Sequence, residues 1–160
     1  MARVYIETSV VSYLTARTSG DLVTAAHQRV TAEWWQCRRN DFELVISDLV
    51  LDEAGRGDRE QARQRLEILA PLARLELTEA ARDLAREILV SGVLPTKALN
   101  DALHIAISAV HDVDYLLTWN CTHIANAELF VRIEAACNRL GYILPILCTP
   151  EELLGDTHAN

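Results

Sequence analysis

Four oxygen-bearing side chains stand where packing alone would not place them. Glu7 follows the apolar run Val4-Tyr5-Ile6 and is itself followed by Thr8-Ser9. Glu53 comes just after Phe42-Glu43-Leu44-Val45-Ile46-Ser47, near the end of a short apolar stretch. Asp101 interrupts the apolar segment around Ala98, Leu99, Ala102, Leu103, Ile105 and Ala106, and Asn120 follows Tyr115-Leu116-Leu117-Thr118-Trp119. Three carboxylates and one amide oxygen are hard ligands, suited to Mg²⁺ or Mn²⁺ rather than to zinc or copper. A divalent ion in such a cluster can activate a bound water and neutralise charge on a phosphodiester. Without a cation, three gathered carboxylates would repel one another and some would take up protons.

Each position also has a plainer reading. Glu7 alone could be a surface acid at a strand end, and the Thr8 and Ser9 hydroxyls could hold its carboxylate, hold a phosphate or cap the next helix. Glu53 shares its segment with Asp48 and Asp52, and Asp52 is the fallback for its role. A carboxylate on an apolar helix is costly without a partner, so Asp101 either ligates a cation or pairs with Lys97 one turn earlier. His104, three residues on, reads as a satisfied core histidine. His123 follows the Asn120 segment and reads as a solvated loop residue or a substrate contact. Trp119 could stack on a base or pack against the sheet. Arg56, Arg59, Arg63 and Arg65 could meet phosphates, or form a solvated helix face laced with Glu60 and Glu67. Trp34 and Trp35 are adjacent and cannot share a face, so one is expected in the core.

The elements that must position these residues alternate between strand and helix. Strands are expected at 3–7, 42–47, 114–118 and 142–147, with a shorter one at 72–77. Pro145 inside the last marks it as an edge or irregular strand. Helices are expected at 21–38, from Ser47 or Asp48 to Gly55 or Gly57, at 59–69 behind an Asp58 cap, from Thr78 to about Val90, at 96–110, and as one or two helices within 124–140. Thr149-Pro150-Glu151-Glu152 looks like a further helix start. Strands separated by helices imply an α/β fold with a parallel central sheet flanked by helices on both faces. Ligands of such sheets bind outside the carboxyl ends of the strands, where Glu7 and Asn120 lie.

The 160 residues favour a single domain over 1–154 with a frayed tail at 155–160. Half of the chain is apolar, which excludes disorder, and no apolar run reaches the ~20 residues of a membrane span. No signal-peptide pattern opens the sequence, so the chain reads as soluble and cytoplasmic. A net charge of −8 argues against a broadly electropositive nucleic-acid binder and suits a small basic partner. Cys37, Cys121, Cys137 and Cys148 have neither zinc nor redox spacing.

Taken in order, Glu7-Thr8-Ser9-Val10-Val11-Ser12-Tyr13-Leu14, Ile46-Ser47-Asp48 through Glu53, Asn100-Asp101-Ala102-Leu103-His104-Ile105-Ala106, Leu116-Leu117-Thr118-Trp119-Asn120 and Pro145 through Leu153 resemble the PIN domain family, over nearly the whole chain. That resemblance implies a metal-dependent ribonuclease, and in particular a toxin like those of the VapC group in type II toxin–antitoxin pairs. It implies RNA as substrate, Mg²⁺ or Mn²⁺ as cofactor, a small antitoxin as partner and a homodimer. Glu7, Glu53 and Asp101 match the family's first three acids and the metal ligands. Asn120 falls where a fourth acid is common. Thr8, Ser9, Arg56, Trp119 and His123 are the candidate substrate contacts. Two departures stand out: Glu7 replaces the usual Asp, and Asn120 brings no charge. They motivate the alternative of a catalytically weak or silent PIN-like module that binds a protein partner.

Overall fold

A computed structural model describes residues 1–155 of the chain. Five parallel strands form one sheet: β1 (Arg3–Ile6), β2 (Glu43–Ser47), β3 (Ala73–Leu75), β4 (Tyr115–Leu117) and β5 (Ile146–Cys148), in the spatial order β3-β2-β1-β4-β5. The strands are short, and the central residues of the three inner strands β1, β2 and β4 are buried, as expected where both faces of a parallel sheet are covered. Val4, Tyr5, Ile6, Val45, Ile46, Leu116 and Leu117 form the middle of the core.

The helices among the described residues are α1 (Thr8–Thr15), α2 (Leu22–Cys37), α3 (Asp48–Ala54), α4 (Arg59–Leu69), α5 (Glu79–Val90), α6 (Leu99–Val110) and α7 (Ala127–Arg139). They pack as two groups, α1 with α2, α3 and α4, and α5 with α6 and α7. The first group connects β1, β2 and β3; the second connects β3 to β4 and β4 to β5. Chain progression therefore runs outward in opposite directions from the β1–β4 pair, where Val4, Tyr5 and Ile6 lie beside Tyr115, Leu116 and Leu117. In open α/β sheets such a reversal is where ligands bind, here at the carboxyl ends of β1 and β4.

Caps set several boundaries where the sequence reading puts them. Asp21, Ser47, Asp58 and Thr78 each accept a hydrogen bond from the backbone of the helix they precede. Four expectations need correction. Helix α1 has no counterpart in the sequence reading, because Thr8–Thr15 carries Thr, Ser and Val, weak helix formers with no clear amphipathic stripe. The segment at 96–110 opens with a 3-10 turn, Thr96–Ala98, before α6. The last strand begins after Pro145, which has no backbone N–H to give to the ladder. Residues 149–153 make turns rather than a helix: the Leu153 carbonyl accepts from Trp34 Nε1 at 3.2 Å, and the Leu154 carbonyl accepts from Arg38 Nη1 at 2.6 Å. The expected tail at 155–160 lies, from residue 156 on, outside the described residues. Among the described residues no helix is long and apolar enough to cross a membrane.

Candidate active site

Glu7 sits one residue beyond β1 and is the N-cap of α1. Its carboxylate is only 6% exposed. Oε2 accepts from the Ser9 backbone N–H at 2.8 Å, and Oε1 accepts from Ser9 Oγ at 2.7 Å and Thr118 Oγ1 at 2.6 Å. Both hydroxyls are accepting in turn. The Trp119 N–H donates to Ser9 Oγ and the Asn120 N–H to Thr118 Oγ1, each at 2.8 Å. The ends of β1 and β4 are thereby laced together around one carboxylate, which faces the positive end of α1.

Glu53 reaches the same rim from α3. Its Oε1 accepts from Thr8 Oγ1 at 2.7 Å and from His104 Nε2 at 2.6 Å. Burial pushes its pKa up, but the hydrogen bond and charge of His104, with the hydroxyl of Thr8 and the amide of Asn100, outweigh that and hold it below the ordinary value. His104 is 1% exposed and satisfied at both nitrogens, the other lying 2.7 Å from the Tyr5 hydroxyl. It is the core histidine expected from its place on an apolar helix, and it touches the site as well. Asp52, the fallback for Glu53, is exposed.

Asp101 lies in the first turn of α6 and is half-buried. Its protein partner is not the anticipated Lys97: Oδ2 lies 2.8 Å from His123 Nδ1. Asn120 has a positioning contact of its own, its amide Oδ1 accepting the His123 backbone N–H at 3.0 Å. Its backbone carbonyl accepts from Ile124 and Ala125. Asn120 thus shapes the turn that presents His123 to Asp101.

The remaining candidates divide. Thr8 and Ser9 hold carboxylates, as described. Trp119 is packed: its ring stacks on His27 with centroids 4.1 Å apart and lies parallel to Tyr13 at 5.9 Å, while Nε1 donates to Thr31 Oγ1 at 2.7 Å. Of the arginines, Arg63 pairs with Glu60 and Glu67 on a solvated face. Arg65 is buried, donating to the carbonyls of Ala54 and Arg56. Arg56 is exposed in the turn after α3. Trp34 is the core tryptophan of the adjacent pair. Sequence reasoning missed Thr118 and Tyr5, whose partners come from distant segments. The only signal was a polar atom ending, or sitting within, a buried strand.

The chemistry of the donor set, three carboxylates each hydrogen-bonded to the protein, fits a hard divalent cation. Among the described residues no group of three His, Cys, Asp or Glu side chains is drawn close enough to grip an ion alone. Mg²⁺ does not require one, since it keeps several waters and shares itself between one or two carboxylates and substrate phosphates.

The PIN domain family model matches residues 4–120, which include all four of these residues. No curated protein sequence matches the chain. Among solved structures, VapBC2 from Rickettsia felis, bound to a DNA fragment from its promoter, aligns over 92% of this chain and 98% of its own, with a TM-score of 0.59 and 18% identity. VapC20 of Mycobacterium tuberculosis, a Sarcin-Ricin loop cleaving toxin, aligns over 75% of this chain and 92% of its own, with a TM-score of 0.59 and 17% identity. At such identities the likeness speaks for the fold, and it agrees with the five-stranded parallel sheet seen here. With the family model covering most of the sequence, the chain belongs to the PIN domain family.

Proposed function

We propose that this chain is a Mg²⁺- or Mn²⁺-dependent endoribonuclease and the toxin of a type II toxin–antitoxin pair. The reading is supported by Glu7 at the carboxyl end of β1, bonded to Ser9 and Thr118, by Glu53 bonded to the adjacent Thr8, and by Asp101 bonded to His123 beside Asn120. Family membership and the VapC-like neighbours lend it further support. Glu7, Glu53 and Asp101 would hold the cation, directly or through waters. When bound, the ion would supply charge to stabilise a phosphodiester under attack and lower the pKa of a water. Asn120 shapes the turn that orients His123, and Thr8, Ser9, Arg56, Trp119 and His123 border the path of an RNA strand. Residues 1–154 form the functional unit, and a small antitoxin, a second copy of the chain and a cytoplasmic setting belong to the same reading.

The test is cleavage of an RNA substrate with Mn²⁺ by wild type and Asp101→Asn. Loss of cleavage in the variant is expected; equal activity in the two rejects the assignment. A second reading, a silent protein-binding module, is favoured by one observation: the Glu7 carboxylate is spent on capping α1 and on Thr118. Metal binding separates the two. A nuclease should melt at a higher temperature with millimolar Mn²⁺, and the shift should vanish in Asp101→Ala; a silent module should show no shift.

A further inference from the structure

We propose that Tyr5 and His104 are positioning residues for Glu53: a buried hydrogen-bond chain from Ser47 through Tyr5 and His104 fixes that carboxylate in the orientation that meets a cation. The inference rests on the metal-dependent reading above. The Tyr5 hydroxyl is fully buried on the central strand, 2.7 Å from Ser47 Oγ and 2.7 Å from His104 Nδ1. His104 Nε2 lies 2.6 Å from Glu53 Oε1. An ionised carboxylate only accepts, so Nε2–H donates to it. Nδ1 shares a hydrogen bond with the Tyr5 hydroxyl, which shares another with the Ser47 hydroxyl. Ser47 Oγ also accepts the Val50 N–H at 3.4 Å, as the cap of α3.

The chain therefore grips α3 at both ends, by its cap and by Glu53 near its last turn. Its links come from β2, β1, α6 and α3 in turn. A core that needed only packing would be served as well by Phe and Leu at positions 5 and 104, because a buried polar chain adds little over apolar side chains of similar shape. What the polar chain adds is orientation. Thr8 donates to the same Oε1 and the Asn100 amide hydrogen-bonds the carboxylate as well, so three partners fix its orientation. Partners that orient a ligating carboxylate in this way commonly set metal affinity.

The experiment is calorimetric titration of Mn²⁺ into the full chain as wild type, Tyr5→Phe, His104→Gln and Ile88→Val, all at a temperature where each is folded. Ile88 is a core residue of α5 and no part of the hydrogen-bond chain. The expected result is a dissociation constant raised about 10- to 100-fold in Tyr5→Phe and His104→Gln, with Ile88→Val equal to wild type. Should one of the two site variants fail to fold, the other carries the comparison. Unchanged affinity in the site variants overturns the proposal, as does equal weakening in Ile88→Val, which would mark a general loss of stability. Absence of binding by wild type overturns the metal reading itself, and is distinguished because it is seen before any substitution.

Discussion

The ionisation of Glu53 leaves a mark on stability. Its folded pKa lies below the ordinary 4.5, with His104 and Thr8 overcoming the opposing effect of burial. The folded state therefore favours the carboxylate, and the resulting stabilisation is complete above the unfolded value and is lost as pH falls through the folded one. Urea unfolding from pH 6 down to pH 3 should show wild type losing stability more steeply below about pH 4.5 than Glu53→Gln. Parallel profiles would show that His104 does not favour the ionised form. At this scale the acids were legible in the sequence, because Glu7 and Asp101 disturb apolar patterns. Their partners were not. Thr118 meets Glu7 across 111 positions and Tyr5 meets His104 across 99, and no local spacing announces contacts of that range.

At the scale of elements, α3 matters most, since it carries Glu53 and is only seven residues long. A helix that short has little stability of its own. The buried guanidinium of Arg65 stitches its end to α4, donating to the Ala54 carbonyl at 2.8 Å and the Arg56 carbonyl at 2.6 Å. Hydrogen bonds from a charged donor contribute about 1.5–3 kcal/mol each; with part of the loss of both offset by burying an apolar side chain in place of a charge, Arg65→Met should cost roughly 2–3 kcal/mol. For a chain of this size that lowers the melting temperature by roughly 4–12 °C, and amide exchange at residues 53–56 should accelerate ahead of the rest of the chain. An unchanged melting curve would contradict the role assigned to Arg65. Element boundaries were readable where a side chain makes them: Asp58 and the helix Arg59–Leu69 stand as the sequence implies. The reading failed where the determinant is tertiary. Helix α1 is begun by Glu7 and held by α2, α3 and α4, and residues 149–153 give carbonyls to Trp34 and Arg38 instead of continuing a helix.

Over the whole molecule, one sheet with two helical layers determines which groups water can reach. The four cysteines report on this directly. Cys37 and Cys121 are exposed, whereas Cys137 and Cys148 are buried. Burial pushes the Cys137 thiol up to about 11 and that of Cys148 to about 12, which leaves almost no thiolate at neutral pH. Iodoacetamide on the folded chain should therefore add two labels, at positions 37 and 121, and four after denaturation, as read by peptide mass spectrometry. Rapid labelling of Cys148 in the native state would contradict the placement of β5 at the sheet edge with its cysteine turned inward. In the proposed function, the same architecture joins Glu7, Glu53, Asp101 and Asn120, from sequence positions 7, 53, 101 and 120, near the carboxyl ends of β1 and β4.

The most direct measurement of that joining is anomalous diffraction from crystals soaked in Mn²⁺. A cation peak about 2.1 Å from carboxylate oxygens of Glu7, Glu53 or Asp101, at the carboxyl ends of β1 and β4, is the predicted result. No peak at saturating Mn²⁺, or one bound elsewhere on the surface, would contradict the assignment of a metal-dependent site.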